Sequence, residues 1–421
     1  MTSPAAKSTD PHRWVVFVSV CLVYFFVYFH RVSTSVIVTD LLDAFQTNAT
    51  ALGFMSSMYF YLYAAEQPVV GYLADRIGPR RVIGWWSVAA AAGCLLFGIA
   101  PTIGWASAGR ALIGLGVGGV YVPAIKALSL WFRREEFTTK LGVLMSVGNV
   151  GAVIATTPLA WAAGTLGWRP TFFLIGGITL VLAMYVLFLT HDYRDPGTTK
   201  ETPSAETTGE SPAGVWTNVR RVLVRRQFWI ISIVFFGVYG TVVTIQGLWA
   251  TPYLMSVLGI SRIRASQLNM LIPIGVIIGA PFFGWLTDRL ELCKRNTVIG
   301  IIVGYGLTWV AIIFFHGPLG SVGISAMLLI MGIAAGGFIS TLWGLIQETT
   351  PPEILGLTSG LLNPAPFLGV AAFQVLTGAI LDHAGRIGDI YPVAGFQTAF
   401  TTCLIGITAC LALSFMIKKS T

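Results

Sequence analysis

A permanent positive charge lies inside one of the most apolar stretches of the chain. Residues 14–38 are almost entirely apolar, yet they contain His30 and Arg31 side by side. At 100° per residue, Tyr24, Tyr28 and Arg31 fall on one stripe of a helix. If this helix crosses a membrane, a buried ionisable side chain is costly and by default indicates function. We therefore predict that Arg31 binds an anion between the tyrosines. The alternatives are that it extends to the membrane surface or pairs with a structural carboxylate.

A second arginine occupies a comparable place in the fourth apolar stretch. Arg110, Gly114 and Tyr121 share one helical face there, and the glycine allows another helix or a ligand to approach closely. Two arginines on facing helices can make bidentate hydrogen bonds to a carboxylate or a phosphate, which lysine does not reproduce. The simplest ligand is an organic anion. Lys126 falls on the opposite face, and we expect it to be structural.

Two side chains are candidates for carrying a proton. Histidine has an ordinary pKa near 6.5, which suits proton exchange, so His30 is the first. Arg31 beside it should disfavour the imidazolium ion, and an arriving carboxylate should relieve that repulsion. The second candidate is Glu66, which shares a helical face with Tyr59 and Tyr63. Its alternative role is to pair with a basic residue of the following loop, and sodium is the alternative coupling ion.

The second half of the chain offers polar and aromatic groups rather than buried charges. Gln246 and Trp249 lie in the seventh apolar stretch, and Trp343 lies in the tenth. Such groups hydrogen-bond and stack against a polar organic molecule. Alternatively, they hold helices together. We predict that these three residues complete the binding site.

The composition is that of an integral membrane protein. Of the 421 residues, 55% are hydrophobic and only 10% are charged, whereas a soluble domain carries about 25% charged residues. The mean hydropathy is +0.76. At about 20 apolar residues per spanning helix, we predict twelve transmembrane helices in an all-α membrane protein, at about 14–38, 51–73, 82–100, 104–128, 141–163, 170–189, 228–256, 264–286, 297–315, 321–347, 356–380 and 394–417.

The distribution of basic residues explains the net charge of +8 without a nucleic-acid partner. Most of the 26 lysines and arginines fall in segments that share one side of the membrane if both termini are cytoplasmic. This bias is the positive-inside rule. The five cysteines give no paired framework, so we expect neither disulfides nor a metal site. Nothing in the sequence suggests an enzyme or a cofactor.

One polar segment divides the chain into two sets of six apolar stretches. Residues 191–226 are rich in Gly, Pro, Ser and Thr and end in four arginines, which predicts a flexible linker that closes on a membrane-surface helix. We therefore predict a first six-helix bundle at 1–190, a cytoplasmic linker at 191–226 and a second six-helix bundle at 227–421.

A loop motif occurs once in each half. Residues 71–81, GYLADRIGPRR, follow the second apolar stretch, and residues 284–295, GWLTDRLELCKR, follow the eighth. The aspartate of each motif can cap the positive end of the next helix. Two copies at equivalent places favour a structural role in gating over a merely basic loop. The candidate gating residues are Asp75, Arg76, Arg80, Asp288 and Arg289.

These loops resemble the signature of the major facilitator superfamily, Gly-x-Leu-Ala-Asp-Arg-x-Gly-Arg-Arg. The first copy matches at Gly71, Leu73, Ala74, Asp75, Arg76, Gly78, Arg80 and Arg81. The second copy keeps Gly284, Leu286, Asp288, Arg289, Lys294 and Arg295. The resemblance covers the whole chain. It implies two six-helix bundles related by pseudo-twofold symmetry that rock around a central site.

Within the superfamily, the charged residues look like those of the anion:cation symporter group, which carries sugar acids and other organic anions. The matching positions are Tyr28, Arg31, Arg110, Gly114, Trp131, Phe132 and the segment SGLLN at 359–363. The resemblance implies that Asn363 contacts substrate. Two acids that it would assign to proton coupling are replaced here by His30 and Val117.

The sequence therefore predicts a secondary transporter of a small organic anion, a monocarboxylate or a sugar acid, that works by alternating access and is proton-coupled. It is expected to be a monomer in the bacterial cytoplasmic (inner) membrane, with both termini cytoplasmic. A multidrug exporter of the same superfamily is the alternative, although it would prefer a cavity lined by carboxylates. A non-transporting sensor on the same fold is the alternative from another class.

Overall fold

The structure is a computed structural model that describes residues 11–192, 219–290, 292–386 and 391–418. Most of the predicted linker, residues 193–218, lies outside the described residues. The described helices are α1 His12–Val32, α2 Val38–Phe45, α3 Ala49–Ile77, α4 Pro79–Ile99, α5 Ile103–Gly118, α6 Tyr121–Trp131, α7 Arg134–Ile154, α8 Thr157–Leu166, α9 Trp168–Leu189, α10 Arg226–Thr244, α11 Ala250–Leu258, α12 Arg262–Asn269, α13 Leu271–Arg289, α14 Lys294–Phe314, α15 His316–Thr349, α16 Pro352–Leu362, α17 Pro364–Ala384 and α18 Val393–Ser414.

These helices form twelve segments, which we number as spans 1 to 12. Single helices form spans 1 (α1), 2 (α3), 3 (α4), 6 (α9), 9 (α14), 10 (α15) and 12 (α18), and consecutive pairs form spans 4, 5, 7, 8 and 11. Helix α2 connects spans 1 and 2. In the described residues, ten segments are long and apolar enough to cross a membrane, and span 5, bent by 41°, gives an eleventh. Span 2 has 29 residues, which is long enough, but Glu66, Gln67 and several tyrosines make it less apolar.

Several spans depart from regular α-helix along their length. Span 1 ends in a 3₁₀ turn at Ser33–Val36, and span 7 contains a π-helical turn at Ile245–Trp249. Span 11 changes helix at Asn363, directly before Pro364, because proline removes a backbone donor and clashes with the preceding turn. Such breaks are common at functional sites because they free backbone groups and redirect side chains.

The two halves meet along spans 1, 2 and 5 of the first half and spans 7, 8 and 11 of the second. Glycines allow the closest approaches. A Cβ atom added to Gly247 in span 7 would lie 2.8 Å from the carbonyl oxygen of Arg31 in span 1. Small residues at helix contacts let backbones pack closely in lipid. We call the side on which span 1 begins and span 12 ends the terminal side, and the opposite side the distal side.

Candidate functional site

Arg31 lies in the last turn of α1, at the boundary between the two halves. It is buried, with 6% of the residue exposed. Its Nη1 donates a hydrogen bond of 2.9 Å to the hydroxyl of Tyr239 in span 7. Its guanidinium carbon lies 4.4 Å from the ring centre of Tyr28 and 5.3 Å from that of Phe367 in span 11. Arg31 therefore contacts both halves through neutral groups.

Aromatic rings of the first half continue the surface around Arg31. The ring centre of Tyr24 lies 5.4 Å from that of Tyr28, and Tyr24 stacks on Tyr121 of span 4 at 5.6 Å. On the other side, Tyr63 lies 4.4 Å from Phe367 of the second half. The tyrosines that the sequence placed on one stripe with Arg31 are thus brought together. Rings of this kind hold a guanidinium by cation–π attraction while leaving its edge available to a carboxylate.

Arg110 lies in a separate cluster inside the first half. It is fully buried, at 0% exposure, and its Nη1 donates a hydrogen bond of 3.1 Å to the carbonyl of His30. Its guanidinium carbon is 5.1 Å from the ring centre of Tyr59. Its Nε and Nη2 have no hydrogen-bond partner among the described residues. This is a desolvated cation with neutral neighbours, which is an unfavourable arrangement that an anion would relieve.

His30 belongs to the same cluster as Arg110 rather than to the surroundings of Arg31. Its Nε2 lies 3.6 Å from the Sγ of Cys94 in span 3, and its Nδ1 has no partner in the part of the chain that the structure describes. In this conformation the two arginines have different partners, and the backbone of residues 30 and 31 connects them. A joint clamp by Arg31 and Arg110 stays a prediction, as does the role of His30 in proton transfer.

Glu66 is buried between spans 2, 3 and 4. Its Oε2 accepts a hydrogen bond of 2.7 Å from Nε1 of Trp86, and its Oε1 packs against Gly118. Within the described residues, Oε1 has no hydrogen-bond partner. Burying a carboxylate away from cations is costly, and binding a proton removes that charge. Glu66 is thus a buried carboxylate whose described neighbours are uncharged, and its role in proton coupling stays a prediction.

A hydrogen bond between the halves lies one helical turn beyond Tyr63, toward the terminal side. Nδ2 of Asn363, at the break in span 11, donates to Oε1 of Gln67 in span 2 over 3.3 Å. Nε2 of Gln67 donates to the carbonyl of Tyr63 over 3.1 Å. Asn363 is therefore placed at the boundary between the halves, where its predicted contact with substrate is geometrically possible.

The remaining three predicted contacts of the second half have different surroundings. Trp249 is fully buried, and its Nε1 donates to Oγ1 of Thr377 in span 11 over 2.8 Å, so in this conformation it holds two helices together. Trp343 is half-buried and packs against Phe235, with ring centres 5.9 Å apart. Gln246 lies in the π-helical turn of span 7. Their contact with a ligand remains a prediction.

Comparison with known proteins decides the family. Residues 20–370 match the sequence pattern of the Major Facilitator Superfamily. The chain belongs to this superfamily. The membership predicted from the two loop motifs is thereby confirmed, together with the fold.

The curated relatives of this superfamily member include transporters of organic anions. The probable galactarate/D-glucarate transporter of Escherichia coli is 24% identical, over 99% of this chain and 96% of its own length. The probable sulfoacetate transporter of Cupriavidus necator is 23% identical, over 91% of this chain and 90% of its own. Among solved structures, a bacterial homologue of the human lysosomal transporter Spinster has a TM-score of 0.80 and 16% identity, over 97% of this chain and 98% of that chain. This last likeness concerns the fold alone.

In this superfamily member, the loop motif of the first half connects spans of the first half to each other on the terminal side. Asp75 accepts a hydrogen bond of 2.6 Å from Nζ of Lys126 in span 4, which also donates to the carbonyl of Ala74 over 2.9 Å. Arg80 donates to the carbonyl of Thr190 at the end of span 6 over 2.9 Å. Lys126 thus has the structural contact that we expected.

The other predicted gating residues are less constrained. Arg76 lies 5.0 Å from the ring centre of Tyr72, and Arg289 lies 5.4 Å from that of Trp285. The side chain of Asp288 lies outside the described part of the structure, although its backbone belongs to α13. The gating role of all five residues stays a prediction.

Sequence reasoning missed a set of contacts that join the halves on the distal side. Arg262 at the start of span 8 forms an ion pair with Asp40 of α2. Arg386 pairs with Asp43 of the same helix over 2.5 Å. The only signal in the sequence was that these arginines are two of the few basic residues predicted for the outer side. Their acidic partners lie more than two hundred residues away in the chain.

The end of span 11 also caps a helix of the other half. Both oxygens of Asp382 accept backbone hydrogen bonds of 2.7 Å, from the amides of Ala49 and Thr50 at the start of span 2. An aspartate at this place accepts hydrogen bonds from amides that have no partner within the helix. Its negative charge also interacts favourably with the positive end of the helix dipole. The distal side is therefore held together by two ion pairs and one helix cap that cross between the halves.

A buried polar cluster lies next to these distal contacts. Nδ2 of Asn269 in span 8 donates to Oγ of Ser35 over 3.2 Å and to the carbonyl of Gln246 over 3.1 Å. Oγ of Ser35 donates to Oγ1 of Thr251 over 3.1 Å. The cluster thus joins the 3₁₀ turn of span 1 to the π-helical turn of span 7. Sequence reasoning missed Asn269, whose signal is an amide within an apolar stretch.

Proposed function

We propose that this protein transports a small organic anion and that Arg31 is the group that binds it. The observation that carries the proposal is the position of Arg31, a buried guanidinium at the boundary of the halves whose contacts are a tyrosine hydroxyl and aromatic rings. A carboxylate would supply the missing counter-charge and would use the planar, bidentate geometry of arginine.

The substrate class is a monocarboxylate or a sugar acid. The relatives named above as probable transporters of galactarate or D-glucarate and of sulfoacetate support an organic anion. Polar groups at the same boundary, namely Asn363 and Tyr239, suit the hydroxyl groups of a sugar acid. Gln246, Trp249 and Trp343 are the further candidates for substrate contact.

Transport proceeds by alternating access of the site between the two halves. An anion that binds Arg31 competes with the hydroxyl of Tyr239 and so acts on a contact between the halves. Binding moves the equilibrium only if the anion has different affinities for the two conformations. Opening to the distal side also requires that the ion pairs of Arg262 and Arg386 separate, while the terminal side closes.

Protons couple to this cycle through Glu66 or His30. Glu66 is a buried carboxylate with a tryptophan donor on one oxygen, so protonation removes a charge from a desolvated place. His30 lies next to Arg110, and an anion near these residues would favour its protonation. Either group would make anion binding and proton binding mutually favourable. Sodium is the alternative coupling ion.

The protein resides as a monomer in the bacterial cytoplasmic membrane, with the terminal side facing the cytoplasm. The charge bias supports this orientation, because most lysines and arginines lie in segments of the terminal side. The membrane lipids, the organic anion and the coupling ion are its partners, and the proposal requires neither a cofactor nor a nucleic acid.

A thermal-shift screen of the purified protein tests the proposal. Galactonate, glucuronate, lactate, sulfoacetate, a sugar phosphate and a cationic drug would be compared, because a ligand that binds only the folded state raises Tm. We expect an organic acid to raise Tm in wild-type protein and in Arg264→Lys, an exposed distal control, but not in Arg31→Ala. Stabilisation by the cationic drug and by none of the acids would overturn the proposal in favour of a drug exporter.

A further inference from the structure

The second half has an apolar groove on its lipid-facing surface, away from the boundary between the halves. The groove has a volume of about 540 Å³ and is lined by residues of spans 8, 9 and 10 and of the connection between spans 8 and 9. Phe283, Ile301, Ile330 and Ile333 supply apolar walls, and Cys293 and Asn296 form its end on the terminal side.

The groove exists because span 9 presents glycines where side chains would otherwise fill the space. Gly300 and Gly304 are one turn apart and both line the groove. A Cβ atom added to either of them would meet nothing within 4 Å. Spans 8 and 10 pack tightly on each other beside it, and an added Cβ at Gly336 would lie 2.6 Å from the carbonyl of Val276. The groove therefore lies between the glycine face of span 9 and the tightly packed pair of spans 8 and 10.

The first half fills the corresponding place. Spans 2, 3 and 4 are the counterparts of spans 8, 9 and 10 in the repeat. There, the indole of Trp86 in span 3 packs against Gly119 of span 4 and donates its hydrogen bond to Glu66 of span 2. A large aromatic ring thus lies between the three helices in one half, whereas glycines leave the groove in the other.

Basic residues flank Leu292 and Cys293, which line the groove on the terminal side. Arg289 is the last residue of span 8, and Lys294 and Arg295 are the first two residues of span 9. Lys294 pairs with Glu348 over 2.7 Å, whereas Nη2 of Arg295 donates to a backbone carbonyl, that of Phe415. Arg289 lies against the exposed ring of Trp285. Basic residues beside a gap between helices bind anionic lipid head groups, and tryptophan is typical of the interface.

We propose that this groove is a binding site for an anionic phospholipid. One acyl chain occupies the groove beside Gly300 and Gly304, and the phosphate lies near Arg289 and Arg295. The apolar walls suit a hydrocarbon chain, and the surrounding bilayer is the source of the phospholipid. The site is distinct from the one at Arg31 and does not depend on the proposed transport function.

Filling the groove tests the proposal. In detergent, phosphatidylglycerol should raise the Tm of the wild-type protein by several degrees more than phosphatidylcholine does. The double variant Gly300→Leu with Gly304→Leu places two side chains in the groove and should lose this difference. Gly177→Leu is the matched control, because Gly177 lies on the exposed face of span 6 with open space at its Cβ, and it should keep the difference. Arg289→Gln with Arg295→Gln should reduce the preference for phosphatidylglycerol.

A measurement on the wild-type chain makes the test independent of how the variants fold. Cys293 lines the groove and is half-buried, whereas the other four cysteines are buried. Phosphatidylglycerol should slow alkylation of Cys293 by a bulky maleimide several-fold, and phosphatidylcholine should slow it less. An unchanged alkylation rate overturns the proposal. An equal response of the wild-type and the groove-filled variant to phosphatidylglycerol also overturns it, because the lipid then acts elsewhere on the surface.

Discussion

The two buried arginines show how much the surroundings of a residue decide its role. Arg31 contacts groups from both halves, so its interactions change when the halves move. The described contacts of Arg110 lie in its own half, and it holds the carbonyl of the residue before Arg31. A cation removed from water costs several kcal/mol unless it is paired, and neither arginine has a carboxylate among its contacts described above. In the proposed function both would therefore favour an arriving anion, Arg31 by direct binding and Arg110 through its charge and its hold on span 1.

The first prediction concerns Arg31→Lys. Lysine keeps the charge but loses the planar fork, so anion binding should weaken by about 1.5–3 kcal/mol, or roughly 10- to 150-fold in Kd. Equilibrium binding of the acid found by thermal shift measures this change. Arg264→Lys serves as the control, because Arg264 is exposed and hydrogen-bonds its neighbour Gln267. Normal binding by Arg31→Lys and also by Arg110→Lys would show that the proposed binding site is wrong.

The second prediction separates a functional role of Arg110 from a structural one. Arg110 has no carboxylate among its described contacts, so an apolar side chain of similar length removes the cost of burying an uncompensated charge. Arg110→Met should therefore leave the Tm of the ligand-free protein unchanged or higher, while anion binding and transport fall at least tenfold. A large loss of Tm, together with normal binding per folded molecule, would instead assign Arg110 to the packing of the first half.

The third prediction identifies the proton carrier. Uptake driven by an imposed pH gradient would be measured in proteoliposomes that contain His30→Gln, Glu66→Gln or both changes. We expect Glu66→Gln to lose gradient-driven accumulation but to retain exchange, because its carboxylate is buried and hydrogen-bonded only by Trp86 among the described residues. Trp86→Phe, which removes that donor, should shift the pH dependence without abolishing it. Accumulation by the double variant would contradict proton coupling through either residue and would favour a sodium-driven or uncoupled mechanism.

At the scale of elements, breaks in the helices position the site. The 3₁₀ turn after α1 lies next to the π-helical turn of span 7, and the two are joined through Asn269. The break at Asn363 brings its amide to Gln67 of the other half. In each case the chain leaves regular helix within a span, whereas an unbroken helix would expose no backbone group and would hold its side chains in a fixed phase.

The fourth prediction concerns the loop motif between spans 2 and 3. Asp75 and Lys126 form a pair in which the side chain of Asp75 is 74% exposed, and exposed pairs contribute only about 0–1 kcal/mol to stability. Asp75→Asn should therefore change Tm little. If the motif acts in gating, the variant should slow counterflow more than it weakens equilibrium binding. Equal loss of both quantities would count against a gating role, and Lys126→Gln should reproduce the effect if the pair itself matters.

At the scale of the whole molecule, the distal contacts hold the two halves in the described conformation. Two ion pairs, one helix cap and a buried polar cluster join them there. A substrate would shift the equilibrium away from this conformation only by the difference between its affinities for the two conformations. In the proposed alternating-access cycle, the distal contacts would therefore contribute to the equilibrium between conformations as well as to the stability of the fold.

The fifth prediction follows from these contacts. Asp40→Asn combined with Asp43→Asn removes both distal ion pairs while keeping the side-chain volumes. A cysteine introduced at Ser35 should then react faster with a membrane-impermeant maleimide added from the distal side, because the halves separate there more often. Arg264→Lys, on the distal side but outside both ion pairs, is the control and should not increase this rate. An unchanged rate at Ser35 in the double variant would show that other contacts hold the distal side closed.

The sequence by itself determined the class of the protein, because that information is local. Stretches of about 20 apolar residues are long enough to cross a bilayer, the basic residues indicate which side each loop faces, and the repeated loop motif indicates two related halves. A charge inside such a stretch is unusual enough to be noticed without any knowledge of its neighbours. Arg31 was therefore found from the sequence, together with the tyrosines of its own helix.

Only the tertiary structure decided which partners the selected residues have. A helical wheel gives the direction of a side chain but not the helix that lies there, and breaks in the helices change that direction along the span. His30 and Arg31 are adjacent in sequence, yet one packs against Cys94 and the other contacts Tyr239 of the opposite half. The partner of Asp40 comes from the start of span 8, and the partner of Asp43 from the segment after span 11. Contacts of this kind join residues far apart in the chain, because the packing of whole helices brings them together.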